Sequence, residues 1–367
     1  MLTVKTIEAS AFDNESGSKL KRSVAFTPGL TSNNRRGNKL GTVDMNGSTR
    51  RDFLAIGATA LSFAGAKRLL AAAIGDSPFH IAVINDEISE DLDHACHVAA
   101  NEFGLSWIEL RGFWKKNILN LDDNELAEAK RILDKYKLQV TDIASPLFKV
   151  DWKGAPISKF SPKRDEFKAS FGFDQQDEVL DRSVRLAKSF GTERIRCFDF
   201  WRLDNPAPYR AEINSTLRHA AEKLGKQNLL LVLENEMACN TATAPEAAKV
   251  LAAIQSPHFM LNWDPGNAAA AGEASPYPDG YALLPKERIG HCHVKSAVTE
   301  PNGKYKWAPV GQGVVDWVGQ FRALKNDGYR LAVSLETHWR GAGTPEASTR
   351  ISFAGMKECL QKAGALT

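Results

Sequence analysis

Four polar side chains with the chemistry of metal ligands follow apolar runs in the C-terminal half of this chain. They are Glu234, Asp264, His293 and Glu336. The first three lie roughly 30 residues apart, which is the length of one strand–helix unit in a β/α barrel. Three carboxylates that converged with an imidazole would repel one another without a cation, and mixed oxygen and nitrogen ligation suits Mn²⁺, Mg²⁺, Co²⁺ or Zn²⁺. The residue types therefore predict a site for one divalent metal ion.

The alternation of side chains along a strand indicates which residues would face that site. His291, His293 and Lys295 share one face of their run, and Ser334 shares a face with Glu336. If the apolar residues between them pack against helices, these polar side chains point into the interior of a barrel. The last polar residue of each strand would then emerge at the carboxyl end, where the sites of TIM barrels lie.

Short apolar runs alternate with helical stretches from residue 79 onward. Eight runs are predicted to be strands, at 80–84, 107–110, 139–143, 195–198, 229–233, 260–263, 289–294 and 331–335. Apolar residues recur at helical spacing in the stretches 123–136, 211–226 and 316–326, and Pro245 marks the first turn of another helix.

Eight strand–helix units in roughly 290 residues predict a (β/α)8 TIM barrel. A doubly wound α/β sheet is the alternative architecture, but no GxGxxG motif follows the first strand. The segment 149–175 contains Pro and Gly and is predicted to be a loop over the catalytic face that could act as a lid.

Short motifs surround the four candidate ligands. They are Leu-Glu-Asn at 233–235, Asn-Trp-Asp-Pro-Gly-Asn at 262–267, His-Cys-His-Val-Lys at 291–295 and Leu-Glu-Thr-His at 335–338. As an ordered set they resemble the xylose isomerase-like TIM barrel superfamily, which includes sugar phosphate isomerase/epimerases, ketose 3-epimerases, hydroxypyruvate isomerases and inosose dehydratases. Gly311, Gly313 and Asp316 also resemble its Gly-x-Gly-x-x-Asp stretch. The chain departs from many members at Glu236, where they have His, and at Ser296, where they have Asp.

The resemblance implies an enzyme that binds one divalent metal through Glu234, Asp264, His293 and Glu336 and isomerises or epimerises a sugar or sugar phosphate. The metal would polarise a carbonyl, and loss of a proton from the neighbouring carbon would give an enediolate. Glu234 and Glu336 would transfer protons, and Lys295 would bind a substrate oxygen or stabilise the enediolate. The residues predicted to bind substrate are Glu236, Asn267, His338, Arg196 and Glu109. Glu109 could instead form an interior ion pair with Arg111.

Other functions remain open at the same site. A lyase or dehydratase, or a hydrolase, could act there on a keto-sugar, an inosose or a glycoside. One branch of the superfamily cleaves abasic DNA, and a sugar-binding protein without catalysis is a further alternative, which the four intact ligands oppose. The net charge of +3 is concentrated at the N-terminus, since residues 1–73 contain eleven Lys and Arg and five Asp and Glu. The remainder is slightly acidic, which argues against a nucleic-acid partner.

The N-terminal residues 1–77 are predicted to be an extension and export signal, and residues 78–367 the barrel domain. Arg50 and Arg51 precede the small, apolar run 55–66, which resembles a twin-arginine signal, with cleavage near Ala73. A run of about a dozen residues is too short to span a bilayer, which needs about 20. We therefore expect export to the periplasm by the twin-arginine translocation machinery, a carbohydrate as the small-molecule partner, and a homo-oligomer as an open alternative to a monomer. Met45 is an alternative start.

Five cysteines are present, and no two of them form a CxxC pair. We expect most of them to be buried as small apolar residues. A disulfide between Cys239 and Cys292 is the alternative in an oxidising compartment.

Overall fold

Parallel strands in a nearly closed ring position every candidate site residue. The computed structural model describes residues 74–161, 169, 171–301 and 303–367. The ring strands are β1 (His80–Val83), β2 (Trp107–Leu110), β3 (Gln139–Leu147), β4 (Arg194–Cys197), β5 (Leu230–Glu234), β6 (Phe259–Trp263), β7 (Ile289–Val294) and β8 (Ala332–Leu335). Their hydrogen-bonded order is β1, β8, β7, β6, β5, β4, β3, β2, and a parallel bridge between Ile84 and Glu109 joins the two remaining edges. The predicted (β/α)8 TIM barrel is confirmed.

The strands are rich in Val, Ile and Leu because both of their faces are covered, as is usual for parallel sheets. All six residues of β7 are buried, for example. Most predicted strands agree with the observed ones to within a residue at each end. The exception is β3, predicted to end at residue 143, which continues to Leu147 because Leu147 pairs with Cys197 of β4 beyond an irregularity in the register. Pairing with a neighbour distant in sequence extends this strand through Pro146.

Helices cover the outside of the ring and connect its strands. The helical segments are Asn85–Ile88, Leu92–His97, Val98–Glu102, Ile118–Asn120, Asp123–Tyr136, Phe173–Gln175, Gln176–Phe190, Arg210–Gly225, Ala244–Ala253, Pro265–Ala270, Pro276–Gly280, Tyr281–Leu283, Lys286–Arg288, Trp317–Asn326 and Pro345–Lys362. The helix Asp123–Tyr136 has the predicted bounds, because Asp122 and Glu125 form a capping box at its start. Asp316 caps Trp317–Asn326 by accepting a hydrogen bond from the amide of Gly319.

Two antiparallel hairpins extend the carboxyl ends of the ring. One pairs Gly112–Phe113 with Lys116–Asn117 after β2, and the other pairs Ser296–Thr299 with Tyr305–Ala308 after β7. The described part of the predicted loop 149–175 ends in the short helix Phe173–Gln175. Trp152 anchors it, with its ring centroid 4.7 Å from that of Phe200. Whether this loop acts as a lid stays a prediction.

All five cysteines are buried and free, so the alternative disulfide between Cys239 and Cys292 does not form. Across the described residues, none of the helices has the length and apolar character needed to cross a membrane. The predicted export signal, including Arg50, Arg51 and the cleavage position near Ala73, lies outside the described residues. The predicted domain boundary after residue 77 also stays a prediction.

Candidate metal centre

The four residues predicted to bind metal come together at the carboxyl end of the ring. One side-chain ligand atom from each of Glu234, Asp264, His293 and Glu336 lies within 4.8 Å of the others, and all four residues are buried. The Nδ1 atom of His293 is 3.3 Å from Oε2 of Glu336, 3.5 Å from Oε1 of Glu234 and 3.8 Å from Oδ2 of Asp264. These atoms surround one point that a single cation could occupy.

The register of neighbouring strands explains this convergence. Ser334 pairs with His293, so Glu336, two residues later on the same face, extends just beyond β8 toward the mouth. Asp264 follows β6 and caps the helix Pro265–Ala270, where its Oδ1 accepts a hydrogen bond from the amide of Asn267 at 2.8 Å. That bond directs the other oxygen, Oδ2, into the cluster.

Hydrogen bonding on the far side of the imidazole orients His293. Its Nε2 lies 3.0 Å from Oε1 of Glu109, which is completely buried. A proton on Nε2 donated to Glu109 leaves the lone pair of Nδ1 directed at the carboxylates, which is the arrangement in which a histidine binds metal. Glu109 therefore positions His293.

Three atoms of the cluster suit a cation because their own bonding is incomplete. Nδ1 of His293, Oδ2 of Asp264 and Oε2 of Glu336 are buried and accept no aligned hydrogen bond from the described residues, although the two oxygens contact the ammonium of Lys295. Buried polar atoms are rarely left unpaired, since each such atom loses its hydration without replacement. Two carboxylate oxygens and an imidazole nitrogen facing one point are ligands that a divalent first-row metal or Mg²⁺ accepts. The donor set therefore fits the predicted metal.

Lys295 is held beside the same oxygens. Its Nζ lies 2.9 Å from Oδ2 of Asp264 and 2.5 Å from Oε2 of Glu336, and it donates to Oδ1 of Asn267 at 3.2 Å. Burial alone would lower the pKa of Lys295, but the attraction of Asp264 and Glu336 outweighs it and raises the pKa. The ammonium is therefore kept charged beside two of the predicted metal ligands.

Arginines hold the two glutamates of the cluster. Nη1 of Arg196 is 3.1 Å from Oε2 of Glu234, and Nη1 of Arg111 is 2.7 Å from Oε1 of Glu336. Burial opposes ionisation of Glu234, yet His293 in its protonated form and Arg196 outweigh it and lower its pKa to about 2. Asp264 differs, since burial raises its pKa to about 6 and Lys295 compensates only in part. The two glutamates are thus the more strongly ionised members.

A pocket of about 420 Å³ opens above the cluster. Of the residues predicted to bind substrate, Glu236, Asn267, His338 and Arg196 line it, together with the predicted proton-transfer pair Glu234 and Glu336. Glu236 forms an ion pair with Lys149 at 3.1 Å, and Asn267 donates to Oε1 of Glu234 at 3.1 Å. His338 keeps a third of its side chain exposed at the mouth.

Glu109 does not lie on the wall of the pocket, so the prediction that it binds substrate is wrong. It is completely buried beneath His293 and is absent from the pocket wall, because β2 directs its side chain across the interior toward β7. The alternative ion pair with Arg111 does not form either. The guanidinium of Arg111 instead contacts Asp86, Glu87 and Glu336, at 3.0, 2.8 and 2.7 Å.

The family of the chain follows from a match over most of the barrel. A protein-family profile described as "Xylose isomerase-like TIM barrel" matches residues 98–359. The chain belongs to this family.

Curated relatives of this family member include two from Escherichia coli strain K12. SgbU, named as a candidate L-ribulose-5-phosphate 3-epimerase, is 25% identical over 194 residues, which are 51% of this chain and 66% of SgbU. The L-ribulose-5-phosphate 3-epimerase UlaE is 24% identical over 192 residues, 51% of this chain and 64% of UlaE. The alignments thus span a little under two thirds of the length of these relatives.

Solved structures with a similar fold align with this chain at low identity. D-allulose 3-epimerase from Methylomonas sp. has a TM-score of 0.55 and 17% identity, covering 79% of this chain and 100% of that one. The IOLI protein, solved with a zinc atom, has a TM-score of 0.57 and 15% identity, covering 78% of this chain and 99% of that one. At these identities the likeness shows the fold.

The sequence analysis did not predict several residues that line the pocket. Asp86 and Glu87 lie in the short helix that begins two residues after β1, so the rule that site residues follow strand ends could have identified them. Lys149 lies in the predicted loop, and Tyr305 and Trp307 lie on the second hairpin. No local pattern indicated that these three would turn toward the mouth.

Proposed function

We propose that this protein is a divalent-metal-dependent sugar isomerase or epimerase. The observation that carries the proposal is the convergence of four buried ligand atoms within 4.8 Å beneath an open pocket. The names of UlaE and D-allulose 3-epimerase support a carbohydrate substrate, one with a phosphate and one without. Because the matched relatives are distant, both the substrate and the reaction are part of the proposal.

Glu234, Asp264, His293 and Glu336 would hold the metal, and the predicted choice is Mn²⁺, Mg²⁺, Co²⁺ or Zn²⁺. When bound, such an ion acts as a Lewis acid that polarises a carbonyl and acidifies the neighbouring C–H bond. Glu234 and Glu336 come from β5 and β8, on different sides of the mouth. One carboxylate would take the proton from one face of the substrate and the other would return one from the opposite face.

The arginines determine which protonation states are ready for this transfer. Arg196 and Arg111 keep one oxygen of Glu234 and of Glu336 fixed, so both carboxylates have a defined orientation. The carboxylate that removes the proton would start ionised, and the other would take a proton from solvent before it returns one to the substrate. Lys295 is charged and would donate to a substrate oxygen as negative charge develops there. Return of the proton to the same carbon gives epimerisation, and return to the adjacent carbon gives isomerisation.

Exchange of solvent deuterium into candidate sugars tests this function. The purified protein, loaded with Mn²⁺, is incubated in D₂O with D-allulose, L-ribulose and their phosphate esters, and proton NMR follows the carbon-bound hydrogens. We expect exchange that a chelator abolishes and added metal restores. Glu234→Gln should reduce the exchange rate at least about a hundredfold, since general base catalysis contributes about that factor or more. Glu212→Gln, at an exposed position of the helix Arg210–Gly225, is the matched control.

Two results would contradict the proposal. Full activity in Glu234→Gln would remove this carboxylate from proton transfer and ligation. Absence of exchange into every sugar, with turnover of a keto-sugar, inosose or glycoside by elimination or hydrolysis, would favour the alternative lyase or hydrolase in the same site.

We also propose export of the protein through the twin-arginine translocation machinery to the periplasm. The paired arginines Arg50 and Arg51 ahead of a short apolar run support it. N-terminal sequencing of the mature protein should find a start near residue 74, and Arg50→Lys with Arg51→Lys should retain the precursor in the cytoplasm. A mature protein that kept residues 45–73 would contradict cleavage.

A further inference from the structure

The second hairpin places two aromatic side chains on the wall of the pocket. On its second strand, Tyr305–Ala308, the side chains of Tyr305 and Trp307 both line the pocket, while Lys306 between them is exposed. Alternation along the strand gives the two rings a common face. Their centroids are 5.1 Å apart, so they form a continuous aromatic surface.

Trp307 lies next to the groups that would carry out the reaction. Its ring centroid is 5.3 Å from Nζ of Lys295 and 5.4 Å from the ring of His338. The indole is half-buried, so one part packs and another faces the pocket. A sugar ring in the pocket could therefore place its C–H groups next to Trp307, and an indole face attracts such weakly positive hydrogens.

The hairpin is a fixed part of the barrel. The segment that follows the second strand holds the first strand in place. There the amide of Val314 donates to the carbonyl of Ala297 at 2.7 Å. A β-carbon at Gly313 would lie 2.4 Å from the same carbonyl oxygen, so the backbones approach too closely for any other residue. Trp307 is thus presented by a supported strand, which suits a binding wall.

The charges of the pocket are already paired. Among the described residues, five of the six arginine and lysine side chains that line it lie within 3.1 Å of a carboxylate oxygen, and the sixth, Lys115, is at the exposed rim. The pairing extends to the mouth, where Arg340 binds Glu87 at 2.8 Å and Lys149 binds Glu236 at 3.1 Å.

A phosphate ester would have to compete with these carboxylates. Tight phosphate binding takes several charge-assisted hydrogen bonds, usually from arginines. Withdrawing Arg196 from Glu234 or Lys149 from Glu236 would leave a largely buried carboxylate without its paired cation, which is strongly unfavourable. We therefore infer, on the basis of the proposed function, that the substrate is a sugar without a phosphate group, whose ring stacks on Trp307.

Paired ligands and paired variants test this inference. Binding of D-allulose, L-ribulose and their phosphate esters to the full-length, metal-loaded protein is measured by isothermal titration calorimetry, alongside deuterium exchange. We expect the free sugars to bind more tightly than their esters. Trp307→Ala should weaken binding of the free sugars about tenfold, consistent with loss of one aromatic contact. Trp307→Phe should retain most of the affinity, and Lys306→Ala on the opposite face should bind as the wild type does.

The outcomes separate this inference from the proposed function. Tighter binding of an ester, or wild-type affinity in Trp307→Ala, would overturn the inference, even if deuterium exchange occurred and upheld the proposed function. Binding of free sugars that depends on Trp307 without any exchange would uphold the inference about recognition while the proposed function failed. Failure of every sugar both to bind and to exchange would overturn both.

Discussion

Replacement of Glu109 by Gln should weaken metal binding although Glu109 is not a predicted ligand. The carboxylate accepts a hydrogen bond from Nε2 of His293 at 3.0 Å in a completely buried environment. The amide oxygen of Gln can accept the same bond, but without the negative charge that makes the imidazole a stronger ligand at Nδ1. The side chain keeps its size, so the substitution changes charge more than packing.

The bond at Nε2 sets the magnitude of this effect. Hydrogen bonds to charged groups contribute about 1.5–3 kcal/mol. If most of that energy supports the metal-bound orientation of His293, the dissociation constant rises about 10- to 100-fold, since each factor of ten corresponds to about 1.4 kcal/mol. This range agrees with the cost of about 10- to 100-fold measured for outer partners of metal-binding histidines.

Competition with a chromophoric chelator measures the change. Wild type, Glu109→Gln and the exposed control Glu212→Gln are titrated with Mn²⁺ or Zn²⁺, and circular dichroism of each apo-protein monitors folding. The reasoning is refuted if Glu109→Gln is folded and binds metal as tightly as the wild type. Equal weakening in Glu212→Gln would show that net charge, and not the contact with His293, controls affinity.

Two further substitutions test how the barrel supports the centre. Trp263→Phe removes the buried indole donor to Oε1 of Gln320 at 3.0 Å. Leaving that oxygen unpaired should lower the free energy of unfolding, measured by urea titration, by about 1–3 kcal/mol. An unchanged midpoint and slope of the titration would contradict this prediction. Asn235→Ala removes three buried hydrogen bonds, two of them to the backbone of Asp264 at 2.8 Å. It should weaken metal binding by about tenfold or more, while Asn101→Ala at an exposed position should not. Equal metal affinities of the two variants would contradict the prediction.

The fold could be predicted from the sequence because its signals are local. Apolar runs and helical periodicity identified the ring strands, and parity along β7 selected His293 and Lys295 as the inward residues near the mouth. The ends of strands proved less predictable, since β3 extends to Leu147 through pairing with Cys197. Strand pairing depends on the neighbouring strand, which the sequence of one strand does not specify.

The candidate centre was predictable where its residues follow strand ends, and not where contacts cross the barrel. Glu109 was assigned to the substrate because it ends β2, but its partner His293 lies 184 residues away. Arg111 and Glu336 are 225 residues apart in sequence and 2.7 Å apart in space. A residue's type and position indicate that it faces the interior, while the identity of its partner depends on side-chain length and direction across the ring. For the same reason Trp307, on an inserted hairpin, gave no local sign of facing the pocket.

The charges explain how three carboxylates can be buried in one cluster. Glu234, Asp264 and Glu336 are almost inaccessible to solvent. Glu234 contacts Arg196, Asp264 contacts Lys295, and Glu336 contacts both Lys295 and Arg111. Burying an ion is costly unless a partner compensates, and removing one partner from a buried pair costs about 3–5 kcal/mol. The two arginines and the lysine are therefore as necessary to the centre as the residues predicted to bind the metal. The barrel must bring seven side chains together, and not four, for this chemistry to be available.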